Sequence, residues 1–409
     1  MPAFPARPLP TAVLLGLVAQ ALFSWRLATP STLMFDEVHY VPAARAILAL
    51  SHPVNVEHPL FGKTLIAAGV ALFGDGPIGW RALSTVAGTA TVLGVYAILL
   101  TLFGRVRTAA VGALLATLNF TILVQARIAM LDGFMAAFVV LAIAAMLRGA
   151  RTRPVRWWTA GSVLLGLAVG VKWAAVPYVA YAGLAFLLLK RRRPDLWPGL
   201  GLLSGAAILA VASLAAYLLT FAPAFFYAER PLTLATLLPF QLEMYRQQTQ
   251  ILSPHIYQSD WWSWPLMLRP IWYLYEPVDG AQRGVLLVGN PVVMWGGLIA
   301  VGACIWSFLR DRDWRMGGVA ALWAGSYAVW AVIPKSLGFF YYYYLSSIWL
   351  TVALAAAAHR YLRGRLEGWD ESLVALAAGL LIYFYQILAA AALSGPDAFR
   401  RWTWFAGWV

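Results

Sequence analysis

Asp36 and Glu37 are adjacent carboxylates in an apolar setting, within Met34-Phe35-Asp36-Glu37-Val38-His39-Tyr40. A carboxylate that is withdrawn from water holds its proton to a higher pH, which suits it to act as a general base. A simpler interpretation is also open: 37–50 has helical spacing, so Asp36 occupies an N-cap position, where Asp is favoured for local reasons. The pair is a candidate for acid–base chemistry, with Asp36 as the base and Glu37 orienting a neighbouring group.

A second polar group follows in Asn55-Val56-Glu57-His58-Pro59-Leu60-Phe61-Gly62-Lys63. His58 is restricted to an extended conformation because a proline follows it, and Lys63 lies near the start of the next predicted helix. Taken singly, His58 is typical of a structural hydrogen-bonding residue, and Lys63 of a side chain that extends to an interface. Together with Asp36 and Glu37 they place carboxylates and a cation in one segment, which suits a phosphate-bearing lipid substrate.

The elements that must position these groups are membrane helices. Of the 409 residues, 62% are apolar and 11% are charged, whereas a soluble domain has about 25% charged residues. Apolar runs occupy 11–28, 86–103 and 285–305, and about 20 such residues cross a bilayer core. The single Cys304 excludes a disulfide framework. This composition excludes a soluble enzyme, a disordered chain and a nucleic-acid binder, and predicts an all-α polytopic membrane protein.

About eleven transmembrane helices are predicted, with the N-terminus in the cytoplasm. Lys and Arg collect on cytoplasmic loops, which accounts for the net charge of +13 without a nucleic-acid partner. Within 157–190 we predict two crossings that turn at Lys172, because one long helix would place two basic loops on opposite sides. The predicted spans are 11–28, 80–103, 108–124, 128–148, 157–171, 173–190, 197–221, 284–308, 316–334, 338–358 and 371–394.

Two long segments, 29–79 and 222–283, then form outer-side loops, and the chain 1–409 reads as a single integral membrane domain. The first segment holds the carboxylates, and the second is rich in Trp and Tyr. Aromatic residues there are typical of a headgroup belt, and docking of a sugar or an acceptor is the alternative. The outer-side cations available to a phosphate are Lys63, Arg81, Arg127, Lys172 and Arg269.

Arg127 and Lys172 have structural interpretations as well. Arg127 could pair with Asp132, but residues five apart on a straight helix point about 140° apart. We therefore expect Asp132 to anchor another loop. Lys172, which precedes Trp173, could instead be an interface anchor.

Eight stretches of the sequence together match one known family. They are 35–39, 57–59 with 62–63, 79–81, 88–92, 125–132, 166–173, 263–266 with 268–270, and 289–291. In these stretches the sequence resembles the protein O-mannosyltransferases, polyprenyl-phosphate-dependent enzymes of the C-type glycosyltransferase fold. It departs from the family's usual His-Pro-Pro at His58-Pro59-Leu60, and from an aromatic segment that commonly contains His and Pro at 339–346. It has no inserted soluble domain of the eukaryotic kind, so it looks like a compact bacterial form.

The resemblance implies transfer of a sugar, expected to be mannose, from a polyprenyl-phosphate carrier to Ser/Thr hydroxyls of exported proteins. A single displacement would invert the anomeric carbon, with Asp36 as base and the five cations on the departing phosphate. His39, His58 and Asp132 are expected to support them. No metal and no cofactor are expected apart from the lipid-linked donor, and the site should face outward from a bacterial plasma (inner) membrane.

Two other functions stay open at this point. The same donor chemistry could act on an envelope glycan or a lipid, as in the lipid-A aminoarabinose transferases. A transporter or flippase for a lipid-linked sugar is a third possibility, but transporters place polar groups near the bilayer midplane. The predicted spans carry few such charges.

Overall fold

The computed structural model describes residues 7–333 and 335–409. Within this part of the chain the fold is almost entirely helical, with one β-hairpin. The elements, in chain order, are α1 Pro8–Ser24, α2 Glu37–Leu48, α3 Phe61–Phe73, α4 Pro77–Phe103, α5 Val106–Thr117, α6 Phe120–Ala126, α7 Leu131–Gly149, α8 Pro154–Val171, α9 Val176–Arg192, α10 Leu202–Leu219, α11 Leu234–Thr249, β1 Ile271–Val278, β2 Ala281–Leu287, α12 Pro291–Asp311, α13 Trp314–Ala328, α14 Tyr344–Tyr361 and α15 Trp369–Leu388.

The protein is a multi-pass membrane protein, as predicted, but the count of eleven spans is not confirmed. Among the described residues seven helices are long and apolar enough to cross a membrane, and an eighth span is possible if α5 and α6, bent by 62°, count as one. α1 and α13 have 17 and 15 residues, fewer than the roughly 20 that a crossing needs. The predicted span 316–334 ends at Pro334, which lies outside the described residues. The seven helical segments are Pro77–Phe103, Leu131–Gly149, Trp173–Arg192, Leu202–Phe226, Pro291–Asp311, Phe340–Tyr361 and Trp369–Leu388.

The prediction of an all-α fold was wrong at the hairpin. β1 and β2 pair in antiparallel register with Val278 opposite Ala281, and the turn between them is Asp279-Gly280, both with positive φ. Asp-Gly is a preferred hairpin turn because it tolerates that conformation. The predicted span 284–308 therefore begins too early, since its first residues belong to β2.

The helix that follows the hairpin begins where its own sequence dictates. Asn290 caps α12 by accepting a hydrogen bond from the Val292 amide at 3.1 Å, and Pro291 occupies the first helical position. Asn is a favoured N-cap, and proline is tolerated at this place because its missing N–H has no intrahelical partner to lose.

The chain divides into two compact units. Unit 2 contains 36–94 and 128–250, and in it α8 packs closely on α10 through small residues. A Cβ on Gly166 would lie 2.2 Å from the Ser213 carbonyl oxygen, so only glycine allows this approach. Unit 1 contains residues up to 35, 95–127 and 251–409, and its centre is α14, which is buried from Tyr344 to Ala358.

The helix break predicted at Lys172 is confirmed, whereas the crossing predicted for 157–171 is not, because α8 is not among the seven candidate spans. α8 ends at Val171, Lys172 is extended with φ −156°, and a short 3₁₀ helix, Trp173–Ala175, leads into α9. The helix predicted over 37–50 is observed as α2. The segments 29–79 and 222–283 are more ordered than loops: the first contains α2 and α3, and the second contains α11 and β1.

Candidate active site

Asp36 immediately precedes α2, and its side chain makes no capping hydrogen bond. Its carboxylate is half-buried and accepts a hydrogen bond from the Tyr40 hydroxyl at 3.3 Å. Burial raises the pKa of Asp36 to about 6; the Lys172 charge opposes this shift and the Asp132 charge adds to it. Asp36 thus occupies the N-cap position, but its side chain does not cap the helix. The surroundings of the carboxylate are instead those of a general base.

Glu37 has different surroundings from its neighbour. It is fully buried and accepts two hydrogen bonds from the Arg81 guanidinium of α4, at 2.8 and 2.7 Å. The Ala129 amide donates a third, at 2.9 Å. This carboxylate ties the start of α2 to α4 and to the segment before α7. Its contacts are those of a positioning residue, whereas its predicted catalytic role stays a prediction.

Asp132 and Lys172 form a second buried ion pair. The Lys172 ammonium donates to both carboxylate oxygens of Asp132, at 2.9 and 2.8 Å. Asp132 thus anchors another loop, as expected from the sequence, because Lys172 belongs to the break between α8 and α9. Both charges act on Asp36, so the pair lies within electrostatic range of the candidate base.

Lys63 organises the segment before α3. Its buried ammonium donates to the carbonyl oxygens of Asn55 at 2.6 Å and His58 at 2.8 Å. Burial lowers the pKa of Lys63 to about 7, and the nearby Glu57 charge opposes that shift. The cation therefore stabilises the 55–58 backbone, and its contact with a phosphate stays a prediction.

The other two predicted cations belong to unit 1. Arg127 is buried and donates to the carbonyl oxygens of Phe23 at 2.9 Å and Trp25 at 2.6 Å. Arg269 donates to the Ile256 carbonyl oxygen. The remaining predicted cations, Lys63, Arg81 and Lys172, belong to unit 2 together with Asp36.

Two residues close to Asp36 in the chain make contacts that the sequence analysis does not predict. The i+4 spacing of Tyr40 from Asp36 is the local signal that could have indicated their hydrogen bond. Phe35 has φ +46° and, within unit 1, stacks on Tyr273 with ring centroids 4.5 Å apart. No local sequence signal marks that contact. His39, predicted as a supporting residue, is exposed, and its charge acts on Asp36.

No group of three or more His, Cys, Asp or Glu side chains is arranged to hold a metal ion within 7–333 and 335–409. The expectation of a reaction without a metal stays a prediction.

The multi-pass helical fold is that of the C-type membrane glycosyltransferases. The S. cerevisiae protein O-mannosyltransferase Pmt1-Pmt2 complex, solved with bound sugar donor, has a TM-score of 0.85 to this chain at 13% identity, covering 100% of this chain and 93% of that one. ArnT from Cupriavidus metallidurans in the apo state has a TM-score of 0.62 at 18% identity, covering 90% and 62%. At these identities the likeness concerns the fold.

The sequence comparisons define the family. Residues 57–217 match the family described as dolichyl-phosphate-mannose-protein mannosyltransferase, and 233–408 match the C-terminal four TMM region of protein-O-mannosyltransferase. The chain belongs to the protein O-mannosyltransferase family and is a glycosyltransferase.

Several bacterial and animal relatives bear names of the same kind. The polyprenol-phosphate-mannose–protein mannosyltransferase of Mycolicibacterium smegmatis is 30% identical, over 81% of this chain and 78% of the relative. The protein of that name in Corynebacterium glutamicum is 25% identical, over 92% and 88%. Protein O-mannosyltransferase 1 of Drosophila melanogaster is 33% identical, over 43% and 22%. These relatives favour the first of the three predicted functions over the glycan-acceptor and transporter alternatives.

Proposed function

We propose that the protein transfers mannose from a polyprenyl-phosphate carrier to Ser or Thr hydroxyls of exported proteins, with inversion at the anomeric carbon. The mechanism rests on one observation, the half-buried Asp36 carboxyl. Burial raises the pKa of this group to about 6. Near neutral pH this group is deprotonated yet basic enough to accept a proton. The names of the relatives, each a mannosyltransferase acting on protein, support the donor and the acceptor class.

In the proposed reaction Asp36 accepts the proton of the acceptor hydroxyl while the oxygen of that hydroxyl forms the new bond to the anomeric carbon. The bond from that carbon to the phosphate oxygen breaks, and the electron pair leaves with the lipid phosphate. Glu37 does not need to exchange a proton, because its contacts with Arg81 and the Ala129 amide hold the start of α2 in place. The carbohydrate is thus transferred in one displacement.

The leaving phosphate needs cations whose charge is not already neutralised by neighbouring carboxylates. Lys172 is paired with Asp132 and Arg81 with Glu37, so these two cations contribute less net charge than their number suggests. Within unit 2 we assign direct phosphate contact to Lys63, whose ammonium donates to the backbone carbonyl oxygens of Asn55 and His58. For Arg127 and Arg269, which belong to unit 1, phosphate contact stays a prediction. Arginine suits this role because its paired N–H groups match phosphate oxygens.

We place the enzyme in the bacterial plasma (inner) membrane, with 29–79 and 222–283 on the outer side. The basic segments 104–107, 148–156 and 190–193 support this orientation, because Lys and Arg are retained on the cytoplasmic side. The cytoplasmic position of the N-terminus also belongs to this proposal, since residues 1–6 lie outside the described part.

The proposed base is tested by transfer of mannose from polyprenyl phosphate to a Ser/Thr-containing peptide, using the full-length protein in liposomes. We expect Asp36→Asn to lower the transfer rate by about 100-fold or more, because general-base catalysis contributes about that much. Asp75→Asn is the matched control: Asp75 is an exposed acid of the same unit that pairs with Arg45. Undiminished transfer by Asp36→Asn would rule out Asp36 as the base, and glycoproteomics of exported proteins would identify the acceptors.

A further inference from the structure

Helix α11 has an exposed apolar face. At about 100° per residue, Leu234, Leu238, Leu242 and Tyr245 fall within an arc of about 80°. Their exposed fractions are 85%, 74%, 60% and 54%. Three leucines and a tyrosine exposed side by side on one helix mark a surface that binds something apolar.

The rest of α11 is divided between a packed face and a polar face. Met244 is fully buried, and Phe240 packs edge-on against Phe221 with ring centroids 6.0 Å apart. On the polar face, Gln247 donates to Glu243 at 2.8 Å, and Arg246 lies 4.0 Å from the same carboxylate. Around the helix, Glu243 is about 140° and Arg246 about 80° from Leu238, so the charged side chains lie beside the apolar arc and outside it.

Contacts of the packed face place α11 at the end of two membrane spans. Gln241, midway along α11, accepts a hydrogen bond from the Tyr217 hydroxyl near the end of α10. Tyr217 in turn accepts one, at 3.0 Å, from the indole N–H of Trp173, which begins the span Trp173–Arg192. α11 therefore lies at the depth where apolar spans meet water.

The span that precedes α11 in the chain also exposes apolar residues. Leu214, Leu219 and Phe226 belong to the candidate span Leu202–Phe226 and are exposed, as lipid-facing residues of a membrane helix are. The leucine face of α11 is thus the next exposed apolar surface along the chain. The occupant that fits both is the bilayer itself.

We propose that α11 is an interfacial helix whose leucine face inserts at the boundary between lipid headgroups and acyl chains, with Glu243 and Arg246 toward water. This is the position that a helix with separate apolar and charged faces adopts at a membrane. The capping box of Thr233 and Thr236 fixes where the helix begins.

Docking of α11 also sets the height of the segment before α3. Gln248 donates to the Glu57 carbonyl oxygen at 2.7 Å, and Lys63 holds the same segment through Asn55 and His58. A change in the position of α11 at the bilayer would therefore move the backbone segment that Lys63 holds. Any effect of this docking on catalysis depends on the proposed function. The docking of α11 at the membrane does not.

The test uses the full chain in vesicles of phosphatidylcholine and phosphatidylglycerol. Cys304 is replaced by Ala, and a polarity-sensitive fluorophore is attached at Leu238→Cys. The matched control is Arg246→Cys, an exposed charged position about 80° from Leu238 around the helix. We expect nitroxide lipids labelled at a shallow acyl position to quench the label at 238 at least threefold more strongly than the label at 246. Aqueous iodide should show the reverse order.

Three results would overturn the proposal: equal iodide access at both positions, protection of position 238 only at high protein density, and protection only with acceptor peptide. The second would make the leucine face a contact between copies of the chain, and the third an acceptor site. Because the readout is quenching, it does not depend on transfer activity. If the Leu238→Cys variant folds poorly, the measurement is repeated with the label at Leu242→Cys in a chain that carries Leu238→Ser.

Discussion

At the scale of single residues, Asp36 and Glu37 are chain neighbours whose carboxylates have opposite surroundings. Glu37 accepts three hydrogen bonds, two of them from a guanidinium. Asp36 accepts a single long one from Tyr40. An anion with few partners is destabilised by burial, and this is why the Asp36 pKa rises to about 6. These surroundings support the proposed roles of Asp36 as base and Glu37 as anchor, a difference that depends on environment rather than on residue type.

The pH dependence of transfer follows from that pKa. Asp36 works deprotonated, so we expect the rate to fall about tenfold for each pH unit below about 6 and to level off above it. The measurement is kcat/KM for the acceptor between pH 4.5 and 8, because this parameter reports the pKa of the free enzyme. Asp75→Asn is the control that should keep the same midpoint. A rate that does not change across that range would contradict the assignment. A decline above pH 7 would indicate that the Lys63 charge is needed, because burial lowers the pKa of Lys63 to about 7.

At the scale of elements, the helices that support the site depend on close approach. α8, which ends at Lys172, lies against α10 at Gly166 and Gly170, where a Cβ would come within 2.2 Å of Ser213 and 2.5 Å of Thr220. Membrane helices gain van der Waals contact in this way because lipid supplies no hydrophobic driving force between them. This packing fixes the position of Lys172, and Lys172 in turn holds its partner Asp132.

We expect Gly166→Ala to destabilise the protein by about 1–3 kcal/mol, the cost typical of overpacking. The atom it meets first is a backbone oxygen, which cannot rotate away. Gly302→Ala in α12 is the matched control: its Cβ would meet nothing within 4 Å, and alanine is favoured over glycine in a helix. Thermal unfolding of both variants in detergent measures the effect. An unchanged melting temperature for Gly166→Ala would show that α8 and α10 can separate at little cost.

At the scale of the whole molecule, charge and hydropathy direct the chain across the membrane. The basic segments 104–107, 148–156 and 190–193 all lie between the long segments 29–79 and 222–283, which hold the carboxylates and the aromatic residues. The positive-inside rule then predicts that 29–79 faces outward. In the proposed orientation Asp36 faces exported polypeptides.

The orientation is tested by cysteine labelling in intact cells. The native Cys304 is buried and should stay unreactive. We expect a membrane-impermeant maleimide to label His52→Cys, at an exposed position in 29–79, and to label Arg151→Cys, exposed in 148–156, only after permeabilisation. Labelling in the opposite order would invert the topology and exclude transfer to exported proteins.

The amino-acid sequence alone determined the membrane class, the break at Lys172, the helix after Asp36 and the family resemblance. Each of these depends on local properties: apolar length, charge bias, turn chemistry and ordered motifs. The Asp-Gly turn was a local signal too, and the hairpin was missed because its apolar strand continued into the apolar run of α12.

Only the tertiary structure decided which charges act on one another. Glu37 and Arg81 are 44 residues apart, and Asp132 and Lys172 are 40 apart. No spacing rule predicts such pairs, since they arise from the packing of separate helices. The same holds for Asp36: burial sets its pKa, and burial depends on every element that packs around it.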